Sequence, residues 1–553
     1  MLRLRARLLA LARTKSDDRV ITALAWTALG VGAINVVVLL AQATATIHSL
    51  DLSSDYAVSL VLPTLAGHVP AGSVISLGNH AYYEAWLFER ATAGLPHSRF
   101  IWEAAPFVVV GAGIALIAWC TWVAVGGLAA IIAVVALVSI SDAWRVVLAM
   151  PTGRVGIAVH GGALCGVLLI LAEASRTPRL SRPWLIALTV FTVLFGALAA
   201  SDSLVAVTVV LPYVVAPWLW WAYERSHQAL RVSVYALVTG GAALLGAALI
   251  TSWMHHDHIV HSPYPVVFTT VASLVTNVQD LIGAWAGLGG GAFFGLPASG
   301  VNLLLFGAGA LALAALAYVL WVLWRRSYQL LAVPSRARLT APARVLYISF
   351  WSLVLASDLA LYLLTAVSDS LGPGDHYLLS AWVAIAALLG AFARSRVGWA
   401  ALLTGVTLFA ILNVRTHVAD GVPAFGVAPD PQLAGEIEHF ARAHGARIGY
   451  SEYGDAAPIT WETHFATEVY PLQPCGSASG LCAFFIGISS WYTPHPGART
   501  FLMTDPRPGI AGGTITAAPA DLGRPVAVGQ FGTFTVYVYG YDIASRVGPG
   551  SIL

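Results

Sequence analysis

The amino-acid sequence predicts a polytopic α-helical membrane protein of about eleven spans with a small C-terminal extracytoplasmic α/β domain, and three observations carry that reading. Of 553 residues, 58% are hydrophobic and only 10% charged, whereas soluble globular chains carry about 25% charge. The apolar residues fall in uninterrupted runs long enough to cross a bilayer, about 20 residues each. The basic residues, all arginine except Lys15, collect in alternate loops between those runs. Such a composition sets aside a soluble enzyme, a secreted scaffold and a nucleic-acid binder, and makes membrane lipids the expected surroundings.

The first apolar run, residues 22–45, follows a basic leader containing Arg3, Arg5, Arg7, Arg13, Lys15 and Arg19. It is longer than the core of a signal peptide and many spans follow it, so it reads as a retained first helix. Residues 106–141 hold no charge and are too long for one span at about 1.5 Å per residue, which places a break at Gly126 and Gly127. Further spans are expected at 155–172, 184–200, 203–222, 232–253, 300–324, 345–367, 377–393 and 397–413. With the N-terminus inside, eighteen basic residues fall in the leader and inner loops, and only Arg90, Arg99, Arg145 and Arg154 in the outer loops. The positive-inside rule then puts the C-terminus outside, in a plasma (inner) membrane. The membrane domain, 1–413, includes a long first outer loop at 48–105. It also includes an apolar, Gly- and Pro-rich segment at 254–299, read as two interfacial helices or a re-entrant pair. One extra crossing there would carry the loop with Arg325, Arg326, Arg336, Arg338 and Arg344 to the outside.

From residue 414 to 553 polar residues and short strand-like runs replace the long apolar ones, which predicts a separate α/β domain. A helix is expected at Gln432–His444 and strands at Arg447–Tyr450, Thr467–Leu472, Thr500–Met503 and Thr533–Tyr539. Cys120 and Cys165 lie inside spans, where packing is the expected role. Cys475 and Cys482 share a Gly/Ser-rich loop in the outer domain, and an oxidising compartment favours a disulfide between them.

Candidate functional residues concentrate on the outer side. The first outer loop holds Asp51 and Asp55, then His80 and Glu84 among Tyr82, Tyr83 and Trp86, aromatics at the spacing of an interfacial helix. Ser-Asp pairs mark span ends at Asp142, Asp202 and Asp369, where a helix cap is the plain reading. Asp358 lies within a span, where an ionisable group is costly and takes a paired or functional role. Arg145, Arg154 and His160 follow Asp142 closely, and guanidinium forks suit phosphate oxygens, with headgroup anchoring as the alternative. His255, His256, Asp257, His258 and His261 have spacing that permits a divalent metal without diagnosing one, so the cofactor stays unknown.

A first span from inside to outside, a long outer loop opening with acidic residues, interfacial helices and a C-terminal outer domain resemble the GT-C class of membrane glycosyltransferases. That class often pairs its acids as Asp-Xaa-Asp or Asp-Glu; here Asp51 and Asp55 are four apart, so either can be the base, with Asp55 preferred. The run from Gly449 to Trp461 also resembles one in uncharacterised actinobacterial membrane proteins. The resemblance implies a sugar moved, with inversion, from a polyprenyl-phosphate donor to a cell-envelope glycan, lipid or protein. Asp55 or Asp51 would act as base and Arg145, Arg154 and His160 would hold the donor phosphate. His80, Glu84, Asp142, Asp202, Asp358 and Trp461 would contact substrates, with Trp491 a second possible sugar platform. The competing reading is a secondary transporter or lipid-linked-sugar flippase, favoured by Asp358 and the 254–299 segment. A third is a non-catalytic membrane subunit that presents its outer domain.

Overall fold

The computed structural model describes residues 16–47, 70, 72–77, 99–140, 156–174, 181–256, 258–261, 268–291, 300–332, 342–365, 378–393, 395–419, 431–477, 479–506 and 515–548. Each of the eleven apolar segments forms a helix: α1 (Ser16–Ile47), α2 (Arg99–Ala124), α3 (Gly127–Val138), α4 (Gly156–Ala174), α5 (Arg182–Ser201), α6 (Ser203–Glu224), α7 (His227–His256), and, after α8, α9 (Gly300–Ala332), α10 (Pro342–Leu364), α11 (Leu379–Leu389) and α12 (Arg396–Ala419). Among the described residues seven of them are long and apolar enough to cross a membrane. α3 and α11 are shorter because they are the inner helices of the bundle; every residue of α11 is buried. The break between α2 and α3 falls where the sequence placed it, at Gly126, whose φ of 134° admits little but glycine.

Side-chain partners fix the helix directions. Thr189 meets Tyr235, Gly196 meets Ala243 and Ala197 meets Gly246, so α5 and α7 run parallel. Gly113 meets Ala158, Gly162 meets Leu116 and Gly166 meets Trp119, so α2 and α4 do too. Tyr347 donates to the Ala387 carbonyl at 2.9 Å while Arg344 donates to that of Ala391 at 2.6 Å, so α10 and α11 are antiparallel. The Trp382 indole donates to the Ala136 carbonyl, and a Cβ on Gly390 would lie 2.5 Å from the Ala129 backbone, so α11 also opposes α3. With no water to compete, small residues that let backbones approach and polar groups that bridge helices replace the hydrophobic effect as the glue. Asn35 illustrates the second kind, linking α1 to the Ser139 hydroxyl and to the Ala410 carbonyl of α12.

Followed through the bundle, these directions place the starts of α1, α5, α7, α10 and α12 at one end and the C-terminal domain at the other. The distal end therefore carries the arginine-rich connections, and it also carries a belt of indoles. Trp184, Trp321 and Trp324 are exposed there, Arg325 lies over Trp321 and Arg225 over Trp221, the placement expected at a membrane interface.

Beyond the end of α7, the described residues of the 254–299 segment hold one helix, α8 (Val271–Leu288), and one short strand. Asn277 near the start of α8 donates to the carbonyls of Leu363 and Thr365 at the end of α10. At the other end of α8 the Gly289 carbonyl accepts from Asn413 of α12, and Trp285 donates to the Ala312 carbonyl of α9. α8 thus starts at the domain end of the bundle, and its last turn reaches Ala312 inside α9 before Gly291 turns back beside Leu305 and Gly309, which leaves the alternation of the other helices unchanged.

The C-terminal domain is a six-stranded mixed sheet in the order β5-β4-β3-β7-β9-β8, with strands β3 (Ala446–Glu452), β4 (Glu468–Pro474), β5 (Leu481–Ala483), β7 (Arg499–Thr504), β8 (Ala527–Phe531) and β9 (Phe534–Tyr539). β3 is parallel to both β4 and β7. Side chains alternate with period two. Val469, Phe501, Met503, Val536 and Val538 face helices α13 (Pro431–Ala443) and α14 (Tyr453–Glu462), while Tyr450, Tyr470, Leu472, Leu502 and Tyr539 face the bundle side. The run from Gly449 to Trp461 is the end of β3 and most of α14, a helix with Pro458 inside it that is not among those expected from the sequence.

Candidate functional site

The domain joins the bundle through a second, three-stranded sheet built from three distant parts of the chain. β1 (Ile75–Leu77), from the first outer loop, is its central strand. It pairs in parallel with β2 (Ile259–His261), just beyond α7, and antiparallel with β6 (Gly487–Ile488) of the C-terminal domain. Ile75 donates to the His258 carbonyl at 2.9 Å, Ser489 donates to the Val74 carbonyl at 2.8 Å, and the Ser76 hydroxyl donates to the Phe485 carbonyl at 2.7 Å. Ile75, Met254, Ile259 and Ile488 sink into the same core as Tyr450, Tyr470 and Trp491. β1 of the first outer loop, the end of α7 and the C-terminal domain are therefore one packed unit.

Three of the expected polar residues lie at this end of the bundle, each held by a different partner. His160, at the start of α4, is buried with its ring 4.6 Å from that of Phe195 on α5. Asp202 accepts from the Leu204 N–H at 2.8 Å and caps α6, the plain reading of its Ser-Asp pair. Asp358, buried on α10, accepts from the Ala381 N–H at 2.8 Å and so places a carboxylate on the N-terminal turn of α11. Asp51, Asp55, His80, Glu84, Asp142, Arg145 and Arg154 lie outside the described residues, as do Asp257 and Asp369. His255 and His256 end α7, His258 bends the chain at φ 60°, and His261 ends β2. Among the described residues no three His, Cys, Asp or Glu side chains come together as metal ligands.

Trp461 and Trp491 belong to the domain core. Trp461 packs edge-on to Phe465, and Trp491 stacks on Tyr470 at 4.8 Å with the rings 5° from parallel. Sequence reasoning missed the polar network around them. Buried Asp542 accepts from the backbone N–H of His495 at 2.9 Å, that of Ala544 at 3.0 Å and the Tyr450 hydroxyl at 3.2 Å, and lies 3.4 Å from His495 Nδ1. Its one local signal is Asp542 followed by a short helical turn, a cap pattern. Burial and then the Asp542 charge push the Tyr450 phenol up, burial and then Glu468 push Tyr470 up, and burial pushes Tyr492 up. Tyr539 is pushed up to about 12, by burial and then by Tyr541 and Tyr537. These phenols are neutral at physiological pH; Tyr492 donates to the Pro471 carbonyl at 2.6 Å and Tyr470 to Glu468 at 2.6 Å.

Deeper in the bundle, α9, α11 and α12 enclose a cavity of about 170 Å³ walled by Leu311, Ala315, Tyr318, Ile385, Val406 and Phe409 among others. Its walls are almost wholly hydrocarbon and suit only an apolar occupant.

No protein-family model matches this chain, and no curated protein matches it. Two solved structures are similar over nearly its whole length. One is ArnT from Cupriavidus metallidurans bound to undecaprenyl phosphate, 12% identical, covering 93% of this chain and 99% of that one at a TM-score of 0.48. The other is ArnT from the same organism in the apo state, 15% identical with the same coverage at a TM-score of 0.36.

Proposed function

We propose that this protein is an inverting membrane glycosyltransferase that moves a sugar from a polyprenyl-phosphate donor to a cell-envelope acceptor on the outer face. The observation that carries the reading is the β2–β1–β6 sheet. It ties the loop bearing Asp51 and Asp55 to the C-terminal domain at the end of the bundle opposite the arginine-rich connections. By the positive-inside rule that end is extracytoplasmic, with the N-terminus in the cytoplasm and the C-terminal domain outside. Nucleotide sugars are absent there, so the donor is a lipid-linked sugar whose chain lies in the membrane. The cavity between α9, α11 and α12 offers hydrocarbon walls to part of such a chain.

In this mechanism Asp55, with Asp51 as the alternative, takes the proton of the acceptor hydroxyl as its oxygen attacks the anomeric carbon from the face opposite the phosphate. The bond from that carbon to the phosphate oxygen breaks with inversion. Arg145 and Arg154 stabilise the charge that develops on the departing polyprenyl phosphate. His160, packed on Phe195 at the start of α4, is the third residue proposed for the donor phosphate. The two features that favoured a transporter have structural partners: α8 is held by α10 at its start and by α9 and α12 at its end, and Asp358 caps α11. Purified protein given a radiolabelled polyprenyl-phosphate sugar and envelope glycan acceptors should transfer label. Counterflow of the same lipid-linked sugar in proteoliposomes without transfer would replace the enzyme with a flippase.

A further inference from the structure

β1 lies between the two acidic parts of the first outer loop, after Asp51 and Asp55 and three residues before His80, yet its bonds are made to other parts of the chain. The bond at the start of the strand is reciprocal. The Val74 N–H donates to the Ser489 hydroxyl oxygen at 2.9 Å, and the Ser489 N–H donates back to the Val74 carbonyl at 2.8 Å. On the other side of β1 the Ile75 N–H is taken by the His258 carbonyl. Ile75 and Ser76 are buried, so opening the strand would expose apolar surface and strand backbone groups out of reach of water. A three-residue strand has no stability of its own. Its position is dictated by the C-terminal domain and the end of α7.

We propose that Ser489 is a positioning residue for the transfer site, and that through it the C-terminal domain holds the first outer loop in register with the membrane bundle. The proposal rests on the glycosyltransferase reading and deepens it. The domain acts on turnover through the geometry of the loop, so disturbing the joint lowers kcat while leaving donor KM unchanged, because a misplaced base costs rate rather than ground-state binding.

The test uses the full-length protein in membranes and then in detergent. Ile75 and Ile488 face each other as a non-hydrogen-bonded antiparallel pair, the Ser489–Val74 bond lying just beyond them. Such pairs bring Cα atoms to about 4.5 Å, within disulfide range. The double variant Ile75→Cys with Ile488→Cys should therefore cross-link under mild oxidation. Ser489→Ala should speed amide exchange at Val74 and Ile75 and lower kcat about tenfold at constant donor KM. Ser489→Thr should restore both, and so should the cross-link placed in the Ser489→Ala background. Unchanged exchange after Ser489→Ala, or faster exchange with full kcat, overturns the proposal. A cross-link that slows exchange without restoring kcat overturns it as well. Wild-type protein that transfers no sugar overturns the glycosyltransferase reading itself and this role with it, a result distinct from an active wild type indifferent to Ser489.

Discussion

At Asp55 a general base and a plain helix cap made by the Ser54-Asp55 pair predict opposite outcomes for one substitution. Asn caps a helix as well as Asp does but cannot accept a proton as a general base. Asp55→Asn should keep normal protein levels and lower sugar transfer by about a hundredfold or more, the scale of general-base catalysis. Near-normal transfer by Asp55→Asn with loss in Asp51→Asn moves the base to Asp51. Arg154→Ala should weaken donor binding by about 1.5 to 3 kcal/mol, measured with undecaprenyl phosphate, and unchanged affinity reassigns Arg154 to interfacial anchoring. Asp202 and Asp358 show how far residue type reaches. Both are caps, but Asp202 caps the helix that follows it in sequence, which a Ser-Asp pair announces, whereas Asp358 caps a helix that begins twenty-one residues later. Because Asn keeps the accepting oxygen and Ala removes it, Asp358→Ala should cost about 1 to 3 kcal/mol more stability than Asp358→Asn in thermal melts of detergent-solubilised protein.

The disulfide and the tyrosine-lined sheet face are the elements that brace the C-terminal domain. Cys475 and Cys482, Cα atoms 5.8 Å apart, close the turn between β4 and β5. Gly548 then pairs with Leu481 and Ala483 and covers the β5 edge. Replacing both cysteines with Ser should lower the stability of the domain by about 2 to 3 kcal/mol; peptide mass spectrometry of non-reduced protein reads the bond directly. The opposite limit is alkaline. Tyr450, Tyr470, Tyr492 and Tyr539 all hold their protons more tightly in the fold than the unfolded chain does. Their contribution is fully present below about pH 10 and is lost as pH rises through the folded values, by up to about 1.4 kcal/mol per pH unit for each phenol. The tyrosinate absorbance of these four should therefore appear as a cooperative step with unfolding, after that of the solvent-exposed tyrosines. Gradual ionisation of all nineteen tyrosines of the chain without unfolding would show these rings to be solvated. The helix at 431–443 and strands β3, β4, β7 and β9 were readable from period and composition. β1, β2, β5 and β6 were not, because strands of two or three residues have no period to read and are stabilised only by partners remote in sequence.

Across the whole molecule, helix direction and arginine placement agree. Reporter fusions after Arg338 and after Gly421 should report opposite sides, cytoplasmic and extracytoplasmic. The same side from both would break the alternation that the contacts among α1, α3, α10, α11 and α12 require. The inner position of α3 and α11 makes a second demand. Gly390→Ala drives a methyl into the Ala129 backbone and should cost about 1 to 3 kcal/mol, seen as a lower melting temperature.

The membrane architecture, the helix segments and the break at Gly126 follow from composition and periodicity alone. Each is a local property, since burial in lipid demands long apolar runs with their backbone bonds made inside the segment. The seating of α8 against α9, α10 and α12, the covering of Trp461 and Trp491, and the Asp542 network are set by packing between segments far apart in the chain. So is the sheet that joins Val74 to Ser489, residues 415 positions apart. Nothing within either segment names the other, because the hydrogen bonds that make each a strand are offered only once the bundle and the domain have come together.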